Sequence, residues 1–556
     1  MEFKRTDISC DVLIVGGGIG GLSCAVSIKE RLPEADVLVI EKQTAGYAGK
    51  ANKGGGVLQY FDLDKVKPEE FLGFHVNAIG AFLGDQELML RYVSMNGEML
   101  KKLSSWGVNV PKKENGEYHV MPTGPMTAMI CVDLDITLKV RKQAEKLGVR
   151  FMDKTAMADL LTAGGRVAGA VAFSILDGEC YVISAGEVVL ATGSQNYRVG
   201  SMWSSGRGDG IAAAYRAGAE MRNAEFGNFA QLVKVKSHNE IVFGENYMYN
   251  AKGEYITANF LKHRESDINS TAIREWYLQM TGGNGPVHLD FGETNQEEGA
   301  LERLWNRPYG RKFRELNDGA GAAVDTDFEV CPMFIGEQSP VKVDNGMETT
   351  VKGLYAIGDV SYSGSALPGA VPAPPGRNRG SGILNAVFAA LVCAESIEKS
   401  GVKKCAGIDK EQAENCISRL YEPMNRKEGH SAKEVIALVQ RAVAPVEQSV
   451  YMKKERMEKA LETVYDAKKM AESMCASDTH ELMSCIEARA MVLSAEMQYR
   501  AALMRCESRG WFLREDYPET DNENWLKWII VKNDNGEMAF STENVPIDKW
   551  PVKPVN

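Results

Sequence analysis

Residues 11–41 read DVLIVGGGIGGLSCAVSIKERLPEADVLVIE. The apolar run 11–15 predicts a short buried strand, residues 22–31 predict a helix, and the apolar run 37–40 predicts a second strand that ends at Glu41. Gly16, Gly18 and Gly21 form a G-x-G-x-x-G motif between the first strand and the helix. This order, with an acid about 20 residues beyond the last glycine, is typical of a dinucleotide-binding site.

Each conspicuous residue of this segment suits one part of a dinucleotide. Gly16 allows a tight turn, Gly18 removes a Cβ that would block the pyrophosphate, and Gly21 lets helix and strand approach closely. The helix N-terminus offers free N–H groups to the phosphates. Glu41 can accept hydrogen bonds from the ribose hydroxyls, and its charge disfavours the 2′-phosphate of NADP. The predicted site is completed by Ile19, Gly20 and Lys42.

Further segments favour FAD over NAD. Residues 54–56 are three glycines, residues 187–193 (EVVLATG) read as a strand running into a glycine turn, and residues 353–359 (GLYAIGD) read as a second such strand. Asp359 lies where flavoproteins of this type place an acid near the ribityl hydroxyls and the pyrophosphate. The cofactor contacts predicted from these regions are Gly55, Gly56, Met157, Ala191, Thr192, Gly193, Gly358 and Asp359.

The bulk properties exclude several classes of protein. The chain has 556 residues and a net charge of −11, without a basic block, so nucleic acid is not an expected partner. The N-terminus lacks a secretory signal, and no apolar run is long enough to span a membrane, so we expect a cytoplasmic protein. The 11 cysteines are scattered without a C-x-x-C pair, which argues against a disulfide framework and against a metal or iron–sulfur site in this chain.

With these motifs the chain resembles the flavoprotein subunits of the succinate dehydrogenase and fumarate reductase family, and within it the alpha subunit of adenylylsulfate reductase. The resemblance covers nearly the whole chain. It is carried by residues 205–221 (SGRGDGIAAAYRAGAEM), 224–229 (AEFGNF), 507–510 (ESRG), 514–518 (REDYP) and 522–526 (NENWL). It implies that the flavin lies near Asp209 and is lined by Gly380, Ser381 and Ile383.

The resemblance implies an α/β fold in several parts. These are a Rossmann-like FAD-binding domain (1–222 and 341–407), an inserted α+β capping domain that covers the substrate (223–340), a helical domain (408–510) and a C-terminal tail segment (511–556). The sequence supports the helical part independently, because residues 432–506 carry apolar positions at three- and four-residue spacing and a single proline.

The chain departs from the family pattern at the flavin and at the substrate. Many family members attach FAD through a histidine after the second strand, but residues 43–53 (QTAGYAGKANK) contain none, so we expect noncovalent FAD. Residues 228–231 read NFAQ where the dicarboxylate enzymes have Q-F-H-P, and residues 334–339 (FIGEQS) lack a second substrate histidine. Fumarate and succinate are therefore not the expected substrates.

Three residues are candidates for catalysis. Arg379, in the segment 376–382 (GRNRGSG), matches the family arginine that binds a substrate carboxylate, a task that suits a planar guanidinium. Glu337 occupies the neighbourhood of the missing histidine, where a carboxyl in a closed site can act as acid or base. Arg264 is nearest to the family's proton-donating arginine. Each also has a plain reading as an ordinary loop residue.

The resemblance implies hydride transfer between flavin N5 and an unsaturated, carboxylate-bearing small molecule, in the catalytic subunit of a soluble reductase or dehydrogenase. Since the chain has no second nucleotide motif and no cysteine cluster, electrons would be exchanged with a separate iron–sulfur, ferredoxin-like subunit. Two alternatives stay open at this point: an adenylylsulfate reductase-like enzyme that acts at sulfur, and an electron relay subunit with no substrate of its own. The chain could also form oligomers.

Overall fold

A computed structural model gives the structure of the protein. It describes residues 3–52, 56–78, 81–122, 128–200, 206–241, 247–256, 268–290, 327–362, 381–404 and 407–554.

The described ranges contain strands and helices that we number in chain order. The strands are Arg5–Val15 (β1), Val37–Glu41 (β2), Val57–Tyr60 (β3), Met121–Pro122 (β4), Ala128–Cys131 (β5), Arg150–Asp153 (β6), Thr155–Ala163 (β7), Arg166–Ser174 (β8), Cys180–Leu190 (β9), Met221–Arg222 (β10), Ala230–Lys234 (β11), Ser237–Ile241 (β12), Met248–Tyr249 (β13), His288–Asp290 (β14), Asp327–Phe334 (β15), Val341–Lys342 (β16), Leu354–Ala356 (β17), Ser361–Tyr362 (β18), Tyr451–Met452 (β19), Leu513–Arg514 (β20), Lys527–Asp534 (β21) and Glu537–Asn544 (β22). The helices are Ile19–Arg31 (α1), Pro68–Ala78 (α2), Gln86–Ser94 (α3), Asn96–Ser105 (α4), Ile136–Lys146 (α5), Asp209–Arg216 (α6), Ile268–Thr281 (α7), Ser381–Ser400 (α8), Lys410–Asn425 (α9), Ala432–Val443 (α10), Val446–Ser449 (α11), Lys454–Ala471 (α12), Thr479–Met504 (α13) and Asn522–Trp525 (α14).

A seven-stranded sheet carries the glycine motif. Its order is β6-β2-β1-β9-β8-β7, with β17 also paired to β9, and β1 runs parallel to β2 and β9. Val12, Leu13 and Ile14 are fully buried, as expected for a central parallel strand covered on both faces. Parallel strands place their carboxyl ends at one edge, so the segments after β1, β2, β9 and β17 meet there. The predicted α/β fold is confirmed.

The first helix is longer than the sequence pattern predicts. It begins at Ile19 rather than Leu22, directly after Gly18, so Gly20 and Gly21 lie within its first turn. The apolar pattern alone misses this turn because glycine is a poor helix former. Here the two glycines are helical because the helix packs closely against neighbouring segments.

Two further sheets contain the chain segments that surround the site. The sheet β12-β11-β15-β14-β13 lies within the predicted cap. The sheet β18-β16-β10-β21-β22 joins strands from three distant parts of the chain. Its strands β21 and β22 form an antiparallel hairpin within the predicted C-terminal tail segment, so this segment is built into the fold rather than trailing from it. The exact domain boundaries stay predictions.

The helices α9 to α13 occupy the region predicted to be helical. The 26-residue α13 is buried along most of its length and packs against α10, α12 and the 3₁₀ turn Ala224–Phe226. In the described ranges, no helix combines the length and the hydropathy needed to cross a membrane.

A buried ion network ties the end of α13 to the start of the cap. Arg505 donates to Glu225 and to Glu507, at 2.7 Å in each case, and all three side chains are fully buried. Arg509 donates to both carboxylate oxygens of Glu507, at 2.8 and 2.9 Å. The network therefore fixes the turn from which the polypeptide enters the cap.

A buried histidine makes the fold sensitive to acid. His75 in α2 is 3% exposed, and burial lowers its pKa to about 3. An unfolded histidine has a pKa of about 6.5, so below that pH the unfolded chain binds a proton that the folded chain does not. The contribution of His75 to the free energy of unfolding is therefore constant above about pH 6.5. It falls by about 1.4 kcal/mol per pH unit as the pH drops from there toward 3.

We therefore expect His75→Gln to flatten the fall of the unfolding free energy with decreasing pH, whatever the variant does to stability at neutral pH. Denaturant titrations at a series of pH values measure this slope. His480→Gln, which changes an exposed histidine in α13, serves as the matched control and should keep the wild-type slope. A His75→Gln slope equal to that of wild type would contradict the assignment.

Candidate flavin site

The glycine turn after β1 has the conformation that the motif predicts. Gly16 has φ of 110°, and a Cβ on it would lie 2.4 Å from the carbonyl oxygen of Ala191. A Cβ on Gly21 would lie 1.9 Å from the carbonyl oxygen of Gly16. The turn at Gly18 is different, because the nearest atom to a Cβ there is the Cα of Gly49, at 3.9 Å. The polypeptide thus leaves open space above Gly18, at the N-terminus of α1.

Glu41 is held at the end of β2 with its carboxylate facing the glycine turn. Its side chain is 7% exposed. One carboxylate oxygen accepts the N–H of Gly17 at 2.7 Å and the other accepts the N–H of Gln43 at 2.8 Å. These bonds fix the carboxylate while leaving a lone pair on each oxygen for a further donor, which a ribose hydroxyl would supply.

The opposite wall is formed by the segment after β9 and by the start of α6. Thr192 has a buried hydroxyl with no hydrogen-bond partner among the described residues. A Cβ on Gly210 would lie 2.1 Å from that hydroxyl, so α6 packs directly on it. Asp209, the first residue of α6, accepts a hydrogen bond from Lys42 at 2.9 Å. Lys42 also lies 3.3 Å from Glu487 of α13.

Four polar side chains from distant segments meet at the same edge of the sheet, and we call them the lysine-centred cluster: Lys50, Ser194, Glu337 and Asp359. The Lys50 ammonium contacts Asp359 at 2.8 Å and the Ser194 hydroxyl at 3.0 Å, and it also pairs with Glu337. Ser194 donates to Glu337 at 2.6 Å. The Glu337 side chain is 3% exposed and that of Lys50 23%.

Burial and charge act in opposite directions within this cluster. Burial is the largest influence on Glu337 and raises its pKa, Lys50 lowers it, and Asp359 raises it further, with a net rise. Burial lowers the pKa of Lys50, but the two carboxylates outweigh it and the net shift is upward. A buried carboxyl with a raised pKa beside a hydroxyl and an ammonium is suited to accept and release a proton.

Some of the remaining predicted cofactor contacts lie in the described ranges and some lie outside them. Gly56 has φ of 51° and a Cβ there would lie 2.4 Å from the carbonyl oxygen of Val132, so only glycine fits. Ala191 and Gly193 follow β9 and Gly358 follows β17, at the same edge of the sheet. Met157 lies in β7 opposite Ala172, Ser381 begins α8, and Ile383 packs against the core. The predicted residues that lie outside the described ranges are Gly55, Arg264, Arg379 and Gly380.

Two members of the lysine-centred cluster were not predicted from the sequence. Ser194 directly follows the predicted contact Gly193, so its position offered a signal. Lys50 is a single lysine in the small-residue stretch between Glu41 and the three glycines. Its chemistry becomes visible only when the fold brings it to Glu337, which lies 287 residues away in the sequence.

The residues present fit an FAD molecule. The space above Gly18, the unpaired Thr192 hydroxyl and the anchored Glu41 carboxylate provide room for a pyrophosphate and polar contacts for sugar hydroxyls. Gly18, Thr192, Glu41 and Asp359 would hold the cofactor, which supplies an acceptor and donor of electron pairs.

Alanine substitutions at two motif glycines distinguish a residue needed for cofactor binding from a residue needed for folding. Gly18→Ala places its methyl in open space, so we expect FAD to bind at least about tenfold more weakly while the flavin-free protein stays within about 0.5 kcal/mol of wild-type stability. Gly21→Ala drives a methyl into the Gly16 carbonyl and should destabilise the flavin-free protein by about 1–3 kcal/mol.

The readouts are fluorescence titration with FAD and denaturant unfolding of the flavin-free protein. Gly97→Ala in α4, where a Cβ meets nothing within 4 Å, is the control and should leave FAD affinity unchanged. Wild-type FAD affinity in Gly18→Ala would show that the cofactor does not occupy the space above this residue.

Comparisons with known protein families agree with this geometry. A family model described as an FAD binding domain matches residues 11–243, and one described as the fumarate reductase flavoprotein C-terminus matches residues 442–556. The prediction of FAD as cofactor is thereby confirmed. That the FAD is bound noncovalently stays a prediction.

Individual proteins share most of their length with this chain. The fumarate reductase flavoprotein subunit of Haemophilus influenzae is 24% identical, over 98% of this chain and 95% of its own. The solved structure of an Escherichia coli quinol fumarate reductase variant is 21% identical, covers 99% of both chains and has a TM-score of 0.80. Adenylylsulfate reductase from Archaeoglobus fulgidus is 20% identical, covers 98% of this chain and 97% of its own, and has a TM-score of 0.78. The two structural matches establish the fold.

Proposed function

Because the chain belongs to the flavoprotein subunits of the fumarate reductase and succinate dehydrogenase family, we propose that it is the catalytic subunit of an enzyme that reduces or oxidises an unsaturated, carboxylate-bearing small molecule. Membership of this family makes the chain an FAD-dependent oxidoreductase. The observation that carries the finer proposal is the buried Glu337, paired with Ser194 and Lys50 beside the flavin site.

The proposed reaction adds or removes a hydride and a proton across a carbon–carbon double bond. FAD, when bound, would supply the chemistry that gives or accepts the hydride. Glu337 moves the proton: in the reducing direction its carboxyl gives a proton to the substrate carbon and becomes a carboxylate. Ser194 then donates a hydrogen bond to the charge left on that carboxylate. Arg379 and Arg264 are proposed to bind the substrate carboxylate and to support proton transfer.

We further propose that an iron–sulfur protein supplies or removes the electrons. The scattered cysteines form no C-x-x-C pair, and several relatives are named as subunits, among them the fumarate reductase flavoprotein subunit from Haemophilus influenzae. The test is reduction of the purified holoprotein by NADH compared with reduction by a reduced ferredoxin. Rapid turnover with NADH alone would contradict the need for such a partner.

A panel of oxidants tests the proposed substrate class. Protein reduced with dithionite is mixed without oxygen with short 2-enoates, fumarate, adenylylsulfate and an oxidised ferredoxin, and flavin absorbance is followed while products are identified. The proposal expects oxidation by a 2-enoate with formation of its saturated acid. Oxidation by adenylylsulfate alone would favour the sulfur reaction, and oxidation by ferredoxin alone would favour the relay; either would contradict the proposal.

A further inference from the structure

Lys50 stands at the rim of the space that the FAD pyrophosphate is expected to fill. It begins the 3₁₀ turn Lys50–Asn52 and directly follows Gly49. The Cα of Gly49 is the nearest atom to a Cβ built on Gly18, at 3.9 Å. The backbone of Lys50 is thus beside the opening above Gly18. Its ammonium points away from its own turn to the carboxylates of Glu337 and Asp359.

The charges around Lys50 are unbalanced. One ammonium faces two carboxylates, Glu337 and Asp359. Among the described residues, the only other hydrogen-bond partner of the Glu337 carboxylate is the Ser194 hydroxyl. A pyrophosphate in the space above Gly18 would add two negative charges beside this cluster. Lysine is a compact cation on a flexible four-carbon stem, so it can change partners without movement of the backbone.

We propose that Lys50 is a ligand of the FAD pyrophosphate, and that FAD binding draws its ammonium away from Glu337, which then takes up one proton from solvent. Ser194 remains the hydrogen-bond partner of the newly protonated Glu337. Binding of FAD and protonation of Glu337, the proposed catalytic acid, are thereby coupled. This inference deepens the role proposed for Glu337 and rests on that proposed function.

The physical reason for proton uptake is the loss of the Lys50 ammonium, the one cation seen to contact the Glu337 carboxylate in the part of the chain that the structure describes. A buried carboxylate without an opposite charge is strongly disfavoured, and it becomes neutral by binding a proton. The neighbouring Asp359 carboxylate acts in the same direction, because two like charges close together cannot easily both ionise. The Lys50 ammonium, where it contacts Glu337, opposes both effects.

Isothermal titration calorimetry of the flavin-free protein with FAD tests the coupling. Titrations at pH 7 in PIPES and in Tris, whose protonation heats differ, give the number of protons bound per FAD. We expect uptake approaching one proton for wild type and close to zero for Glu337→Gln, which keeps the shape but cannot ionise. Equal uptake in wild type and Glu337→Gln, or no uptake in wild type, would overturn the proposal.

Variants of Lys50 test the ligand. Lys50→Met should weaken FAD binding by about tenfold and abolish proton uptake, because Glu337 is then already neutral before FAD binds. Lys50→Arg, which keeps the positive charge, should recover most of the affinity and much of the uptake. Wild-type affinity for FAD in a folded Lys50→Met protein would show that Lys50 is not a pyrophosphate ligand.

A fragment of the cofactor identifies which of its parts moves Lys50. ADP-ribose carries the pyrophosphate but no flavin ring, and its phosphates do not titrate near pH 7. We expect it to cause the same proton uptake as FAD. Uptake with FAD but not with ADP-ribose would overturn the assignment to the pyrophosphate. None of these titrations contains substrate, so a protein that takes up the proton but oxidises no enoate would contradict only the proposed function.

Discussion

Glu337→Gln should lower the rate of substrate-driven flavin oxidation by about 10²- to 10⁴-fold, the range contributed by a positioned general acid. The side chain is buried and receives hydrogen bonds from Ser194 and Lys50, so the amide fits the same space but has no proton to give. FAD content should be no lower than that of wild type, because Glu337 is a partner of Lys50 and not itself a proposed ligand of the cofactor. Stopped-flow absorbance of pre-reduced protein mixed with acceptor measures the rate.

The pH dependence gives the same prediction a second readout. Burial raises the pKa of Glu337, and the reducing direction needs its protonated form. The wild-type rate should therefore be highest at low pH and fall as the pH rises through that pKa, while the residual rate of the variant should lack this fall. Glu329→Gln, an exposed carboxylate on the same strand β15, is the matched control. A Glu337→Gln protein with the wild-type rate and pH profile would remove this residue from the mechanism.

Glu507→Gln should lower the free energy of unfolding by about 3–5 kcal/mol, as expected when one partner of a buried ion network is neutralised. Glu507 is fully buried and accepts from Arg505 at 2.7 Å and from Arg509 at 2.8 Å. When Glu507 is neutral, Arg509 loses the only carboxylate that it contacts among the described residues, and Glu225 is the one carboxylate left to Arg505 there. Denaturant unfolding followed by tryptophan fluorescence measures the change.

The control for this variant is an ion pair on the surface. Lys113 and Glu117 lie 3.2 Å apart with side chains 49% and 65% exposed. Glu117→Gln should leave the free energy of unfolding nearly unchanged, since exposed pairs contribute little. If Glu507→Gln were as mild as Glu117→Gln, the buried network would not be what holds the cap turn to α13.

The dinucleotide part of the fold could be predicted because its signals are local. Residues 11–41 contain the strand periodicity, the glycine spacing and the terminal acid in one contiguous stretch. The C-terminal hairpin could not be placed this way. Its strand β21 pairs with the two-residue strand β10, with Met221 opposite Val531, and no local pattern indicates a partner so far away in the chain.

The candidate site was predictable only in part, for the same reason. Glu337 could be predicted because the sequence puts it in the neighbourhood of a missing family histidine. Ser194 and Lys50 contact it from 143 and 287 residues away, and neither residue type is unusual in its own segment. Burial, which raises the pKa of Glu337 and makes the cluster chemically distinctive, is a property of the folded chain rather than of any segment.

Oxidation of the reduced flavin by a short 2-enoate tests the central claim most directly. The pre-reduced holoprotein is mixed anaerobically with crotonate and, separately, with crotonamide, which has the same double bond but no carboxylate. The proposed function predicts oxidation by crotonate at a rate that saturates with concentration and formation of butyrate. It predicts a rate with crotonamide at least about a hundredfold lower, because the proposed contact with the substrate carboxylate is missing. Equal rates with the two compounds, or no oxidation by any 2-enoate while oxidised ferredoxin oxidises the flavin rapidly, would contradict it.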